Sequence, residues 1–299
     1  MMAKPFVKWA GGKGQILTDI CNSYPPELGT TINRYCEPFV GGGAVLFDIL
    51  SNHDVKEVLI NDINAELINT YKRIKDSPDA LITALESIQE EYLSLDTAAR
   101  KEYYYAKREH FNHLKINGDT ATNIEKAALF IFLNRTCFNG LYRVNRSGLF
   151  NVPSGTYKNP LICDVKNLKK INVLLQKVTI KCGDYKECLD FANQNAFYYI
   201  DPPYRPLTET ASFTSYAEGG FADKEQAELK EFVDELTKKG AKVLVSNSDP
   251  KNSDENDEFF DKLYSEYRIA RVTAKRMINC NGDRRGSVSE LMISNFGRA

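Results

Sequence analysis

The sequence predicts an α/β fold, a Rossmann-like, doubly wound and mostly parallel sheet with an inserted helical module that ends in a β-hairpin. Two observations carry this expectation. Apolar extended runs at residues 34–37, 57–61 and 196–200 each end abruptly in a turn or an acidic residue and pass into helix-like sequence, the signature of βα units. Between about residues 70 and 165 that alternation lapses and helical periodicity takes over, so a module is interposed there.

Taken in order, the first run leads into Pro38-Phe39-Val40-Gly41-Gly42-Gly43 and then the apolar residues 44–50. The second ends at Asp62, with Asn64 placed to cap a helix through Lys75. Helical spacing over 80–93, 98–113 and 124–132 builds the insert. Residues 139–153 close it as a basic hairpin, two short extended arms flanking an Arg146-Ser147-Gly148 turn. Further strands are expected at 178–182, 241–245 and 287–294, and helices at 223–238 and 255–263. The run 196–200 is continuously aromatic and aliphatic, as in a strand buried on both faces. The expected division of the chain is 1–69, 70–165 and 166–299.

Across 299 residues, 42% hydrophobic and 26% charged residues describe an ordinary globular protein. A net charge of -1 gives no global footprint for a polyanion, so any nucleic-acid surface must come from local clusters. One such cluster spans 134–159, which lacks Asp and Glu but holds Arg135, Arg143, Arg146 and Lys158; others are Lys4, Lys8 and Lys13, and the arginines and lysine from Arg268 to Arg285. Taken singly, each cluster is more often a solvated face. Seven scattered cysteines without a CxxC pair, and three histidines, indicate neither a disulfide framework nor a metal site. With no signal-like or membrane-spanning apolar run, a reducing cytoplasm is the expected location.

The Gly41-Gly42-Gly43 turn would let backbone approach a ligand at the carboxyl edge of the sheet. It is neither GxGxxG nor a phosphate loop, and a tight structural turn is the competing reading. Asp62, at the next strand end, suits the hydroxyls of a ribose, or a plain turn. Asp201-Pro202-Pro203-Tyr204 says more. Two prolines at the end of a buried strand force a rigid exit, so that the Asp carboxylate and the following carbonyl can accept from an amino group while Tyr204 offers a face to a planar base.

The chain resembles the DNA adenine methylases of the alpha arrangement, the Dam-like group. The resemblance runs through Phe6-Val7-Lys8-Trp9-Ala10-Gly11-Gly12-Lys13, Glu37-Pro38-Phe39-Val40-Gly41-Gly42-Gly43, Asn61-Asp62, the 139–153 hairpin, Gly183-Asp184, Asp201-Pro202-Pro203-Tyr204 and Phe213-Thr214-Ser215-Tyr216. It implies a class I methyltransferase fold that uses S-adenosylmethionine and acts on double-stranded DNA without a metal. It implies that Trp9, Lys13, Phe39, Gly41, Gly43, Asp62, Asp184 and Asp201 serve the cofactor. Asp201, Pro202 and Tyr204 would hold a flipped target adenine. Asn139, Leu141, Arg143, Asn145, Pro153 and Tyr157 would face DNA, with Arg143 reading guanine. The hairpin and residues 206–216 resemble members that methylate GATC, and a restriction endonuclease sharing the site is a possible partner. On this reading 1–69 is the cofactor half, 70–165 the target-recognition domain and 166–299 the target-adenine half. The rivals are an RNA adenine methyltransferase and a non-catalytic DNA-binding protein on the same fold.

Overall fold

The computed structural model describes residues 3–205, 221–275 and 287–297. Residues 206–216, including Phe213-Thr214-Ser215-Tyr216, and the basic residues Arg276, Arg284 and Arg285 lie outside the described residues.

The strands are β1 (Arg34–Glu37), β2 (Glu57–Asp62), β3 (Val178–Cys182), β4 (Ala196–Ile200), β5 (Lys242–Ser248), β6 (Arg268–Lys275) and β7 (Ser287–Ser294), in the sheet order β3-β2-β1-β4-β5-β7-β6. β1 pairs in parallel with β2 and β4, and β4 with β5; β7 runs antiparallel to both β5 and β6. The order reverses between β1 and β4, which opens the carboxyl ends of these strands to ligands. The expected strands at 34–37, 178–182, 196–200 and 287–294 occur as written. β6 was read only as part of a basic cluster; an eight-residue antiparallel register with β7 makes it a strand.

Contacts group the chain into two compact units: residues 1–12, 41–51 and 62–183, and residues 13–40, 52–61 and 184–299. In the first unit α6 (Asn123–Thr136) packs on α3 (Ala65–Asp76), α4 (Pro78–Ser94) and α5 (Thr97–Asn117), and α3 also packs on α7 (Val165–Leu175) and β3. The insert therefore shares its core with α3, a βα-unit helix. α6 is buried continuously from Ala127 to Asn134, and an all-round apolar helix of this kind belongs at the centre of a bundle.

In the second unit, all five residues of β4 are buried. Tyr198 and Ile200 join Val243 and Val245 of β5, Leu291 and Ile293 of β7, and Leu229 and Phe232 of α8 (Asp223–Lys238) in one hydrophobic cluster. This packing fixes the strand whose end carries Asp201. α9 is limited to Phe259–Leu263, shorter than the helix expected over 255–263. Among the described residues no helix is long and apolar enough to cross a membrane.

Candidate active site

Asp201 follows the last residue of β4, and its carboxylate is held from several directions. Lys13 Nζ lies 3.0 Å from Asp201 Oδ1, and the Ser246 hydroxyl on the adjacent β5 donates to the same oxygen at 3.1 Å. Tyr199, buried in β4, shares a hydrogen bond with Ser246 Oγ at 2.9 Å. The Lys13 ammonium also donates to the Tyr204 hydroxyl and, at 3.3 Å, to Glu290 Oε2; Tyr204 in turn donates to Glu290 Oε2 at 3.1 Å. All three ammonium protons are thereby used.

Burial opposes the charge of Lys13, yet Asp201, Tyr204 and Glu290 outweigh it and hold the ammonium well above the usual lysine range. Burial pushes the Asp201 carboxyl above the ordinary carboxylate range, opposed by Lys13 and Ser246 and reinforced by Glu290. Burial likewise lifts the Tyr204 phenol, which stays protonated at neutral pH. The result is a rigid hydrogen-bond acceptor that already receives an N–H group, at the end of a strand that cannot shift.

The two prolines shape the exit. The buried Gln226 side chain donates to the Pro203 carbonyl at 3.3 Å, while the Pro202 carbonyl has no partner among the described residues. Arg205, next in the chain, is clamped by Asp223 and Asp257 and lies over the Phe259 ring. Also in this unit, Phe39 packs on Tyr185 with ring centroids 5.1 Å apart, beside the exposed Asp184. The Asp184 side chain caps the following turn by accepting from the Lys186 N–H at 2.8 Å.

In the other unit, Gly41 and Gly43 have φ of 48° and 74°, the left-handed region that favours glycine. A Cβ on Gly41 would stand 2.8 Å from Trp9 Cδ1, so the backbone and the indole are in direct contact. Trp9 stacks on Tyr142 with centroids 5.6 Å apart. Asp62 binds the turn itself: Oδ2 accepts from the Gly41 N–H at 3.0 Å and Oδ1 from the Asn64 N–H at 2.9 Å. Burial raises the Asp62 carboxyl above its ordinary range against these backbone donors. With Ile63 N–H as a third backbone donor, the carboxylate keeps at least one lone pair, so it can still accept from a hydroxyl group.

The hairpin appears as isolated antiparallel bridges, Val144 with Phe150 and Cys137 with Ser154, rather than as two strands. Its turn starts one residue earlier than expected. Gly148 N–H donates to the Asn145 carbonyl at 2.9 Å, and Asn145 Oδ1 accepts from Ser147 and Leu149, so this side chain is committed to its own turn. The exposed Arg143 donates from Nε to Asn151 Oδ1 at 2.8 Å, which orients the guanidinium. Asn139 is exposed at a left-handed φ of 55°, Leu141 is partly buried, and the Pro153 carbonyl accepts from the Phe138 N–H at 2.9 Å. Lys8 donates to the Tyr157 hydroxyl at 3.1 Å.

The structure thus brings Asp201, Tyr204 and Lys13 together. Sequence reasoning missed Ser246 and Glu290; a serine and a glutamate in ordinary strands carry no local signal. Among the described residues no group of three or more His, Cys, Asp or Glu side chains is arranged to hold a metal.

A family model described as D12 class N6 adenine-specific DNA methyltransferase matches residues 9–278. The chain is 49% identical over 298 residues to the type II methyltransferase M.MjaIII of Methanocaldococcus jannaschii, covering 99% of this chain and 100% of that one. It is 37% identical to the type II methyltransferase M1.LlaDCHI of Lactococcus lactis subsp. cremoris, covering 98% and 96%. It is 34% identical to the DNA adenine methylase of Haemophilus influenzae, covering 98% and 94%. The family match spans the glycine turn, the hairpin, Lys13, Asp201, Tyr204 and Ser246 but stops short of Glu290, and the chain belongs to the D12 class of N6 adenine-specific DNA methyltransferases.

Proposed function

We propose that the chain transfers the methyl group of S-adenosylmethionine to N6 of an adenine flipped out of double-stranded DNA, within the sequence GATC. The observation that carries the catalytic part is the Asp201 carboxylate, fixed at the end of β4 and already accepting an N–H group from Lys13 at 3.0 Å. An adenine amine presents the same kind of donor. Asp201 and the Pro202 carbonyl accept from its two protons, draw the nitrogen towards its pyramidal, more nucleophilic form, and Tyr204 stacks on the base.

Each unit, taken by itself, carries groups that suit part of the cofactor. Asp62 offers acceptors for ribose hydroxyls, Asp184 an exposed carboxylate for a purine amine beside the Phe39–Tyr185 pair, and Gly41 and Gly43 a backbone free of side chains. Trp9 supplies an aromatic wall beside the glycine turn. When bound, S-adenosylmethionine supplies a sulfonium-activated methyl group, so the protein need only orient the amine and stabilise its growing positive charge. With the amine held by Asp201 and the Pro202 carbonyl, its nitrogen would take that methyl group, the electron pair of the broken bond would stay on sulfur, and one N–H proton would leave for solvent.

Residues 70–165 serve target recognition on this reading. Arg143 reads guanine through a guanidinium oriented by Asn151, and Asn139, Leu141, Asn145, Pro153 and Tyr157 form its surroundings. GATC rests on the likeness of the hairpin and of residues 206–216 to members with that site. A guanidinium fork suits the major groove of B-form DNA, which disfavours the deep, narrow groove of duplex RNA. A restriction endonuclease would share the site without a required complex.

Unmethylated plasmid incubated with the protein and S-adenosylmethionine, then sequenced with base-modification detection, tests the whole reading. N6-methyladenine confined to GATC, absent with Asp201→Ala, is expected. Methylation at another motif would overturn the specificity, and unmodified DNA from folded protein would overturn the DNA methylation reading.

A further inference from the structure

We propose that Glu290 is a positioning residue for methyl transfer, holding Lys13 and Tyr204 so that the site keeps a net negative charge for the target amine. This rests on the reading that Asp201 receives that amine. Glu290 lies on β7 opposite Ser248 of β5, and β5 is the neighbour of β4, so Asp201, Ser246 and Glu290 converge from three consecutive strands of the sheet. Its orientation is set by the strand pleat, because Leu291 and Ile293 are anchored in the hydrophobic cluster and Glu290 faces the other side. One oxygen, Oε2, takes hydrogen bonds from both Lys13 Nζ at 3.3 Å and the Tyr204 hydroxyl at 3.1 Å.

The charges give this contact a purpose. One lysine facing Asp201 alone would cancel its charge; with Glu290 present the cluster holds one cation and two carboxylates. As the amine nitrogen becomes positive, an environment with one surplus negative charge stabilises it, whereas a neutral Lys13–Asp201 pair would not. Glu290 also gives Lys13 an alternative acceptor when the amine claims Asp201. A charge-assisted contact of this kind is relayed through Lys13 and Tyr204, so Glu290 need not touch substrate.

Glu290→Gln keeps the shape and removes the charge. Single-turnover methyl transfer at saturating DNA and S-adenosylmethionine is expected to slow about ten- to a hundredfold, with both KM values within about twofold of the parent. Glu290→Asp is expected to recover part of the rate. Among the described residues the groups facing Asp201 are Lys13, Tyr204, Glu290 and Ser246, itself bonded to Tyr199, and Glu290 is the carboxylate of this set. Its removal should shift the acid limb of the rate profile to lower pH, which loss of packing alone would not do. A Lys13→Met/Glu290→Gln double variant should be no slower than Lys13→Met, and this comparison holds even if Glu290→Gln alone folds poorly. Unchanged rate and acid limb in Glu290→Gln, or additive losses in the double variant, would overturn the proposal. A parent chain that leaves DNA unmethylated would instead overturn the reading beneath it.

Discussion

Gly41→Ala tests how the glycine turn and the sole tryptophan depend on each other. An alanine there must hold a φ of 48°, which costs an L-residue ~1–2 kcal/mol. Its Cβ would also stand 2.8 Å from Trp9 Cδ1 and 3.1 Å from Nε1, so the indole must withdraw by several tenths of an ångström. Withdrawal loosens the Trp9–Tyr142 stack, a pair of a kind worth about 0.5–1.5 kcal/mol. Together these predict a loss of about 1.5–3.5 kcal/mol. Gly148→Ala is the control: its φ is 71°, but no atom lies within 4 Å of the added Cβ, so only the backbone cost remains. The assay is urea unfolding of both variants with Trp9 emission as the probe, followed by equilibrium binding of S-adenosylmethionine. Gly41→Ala should be the less stable, with shifted native emission and about tenfold weaker cofactor binding. Equal stability of the two variants, with unshifted emission, would refute the claim that Gly41 is glycine because Trp9 lies against it.

Three further outcomes are expected. On the proposed mechanism the carboxylate form of Asp201 accepts the amine; burial raises its folded value, so the transfer rate should fall as pH drops through a value above the ordinary aspartate range, and Asp201→Asn should remove this limb and slow single turnover by about 10²–10³-fold. Arg143→Ala should relax discrimination at one base pair by ~1–3 kcal/mol, measured as the ratio of methylation rates on the intact site and on a duplex with that pair exchanged; an unchanged ratio assigns Arg143 to phosphate. Asn64 caps α3 by accepting from the Leu67 N–H at 2.9 Å, so Asn64→Ala should cost about 1 kcal/mol in chemical denaturation and leave cofactor affinity intact.

Much of this molecule could be read from local chemistry. An uninterrupted apolar run stopped by Asp-Pro-Pro-Tyr predicts β4 and a rigid end to it, because buried strands and proline exits are properties of a few adjacent residues. The Asn64 cap and the strand ends at Glu37 and Asp62 are legible for the same reason. Even the insert's helices follow from periodicity, with α4, α5 and α6 lying where helical spacing set them. Where those helices pack is another matter: α6 has no polar face to say which side is inside, and it proves to be the centre of its unit because α3, α4 and α5 all bury against it.

β6 escaped notice because its arginines look like a basic surface patch until pairing with β7 orders them, and Arg271 is then engaged by Asp249 and Asp261. The assignment of Lys13 depended still more on the fold. Composition counted it only in a basic cluster, and the family resemblance pointed it at the cofactor. Its partners Tyr204 and Glu290 are 191 and 277 positions away, joined to it only when β4, β5 and β7 lie side by side. The residue types and the strand ends are local and were determined by the sequence itself; the balance of charge around Asp201 was decided by strand order, since electrostatics acts across space and not along the chain.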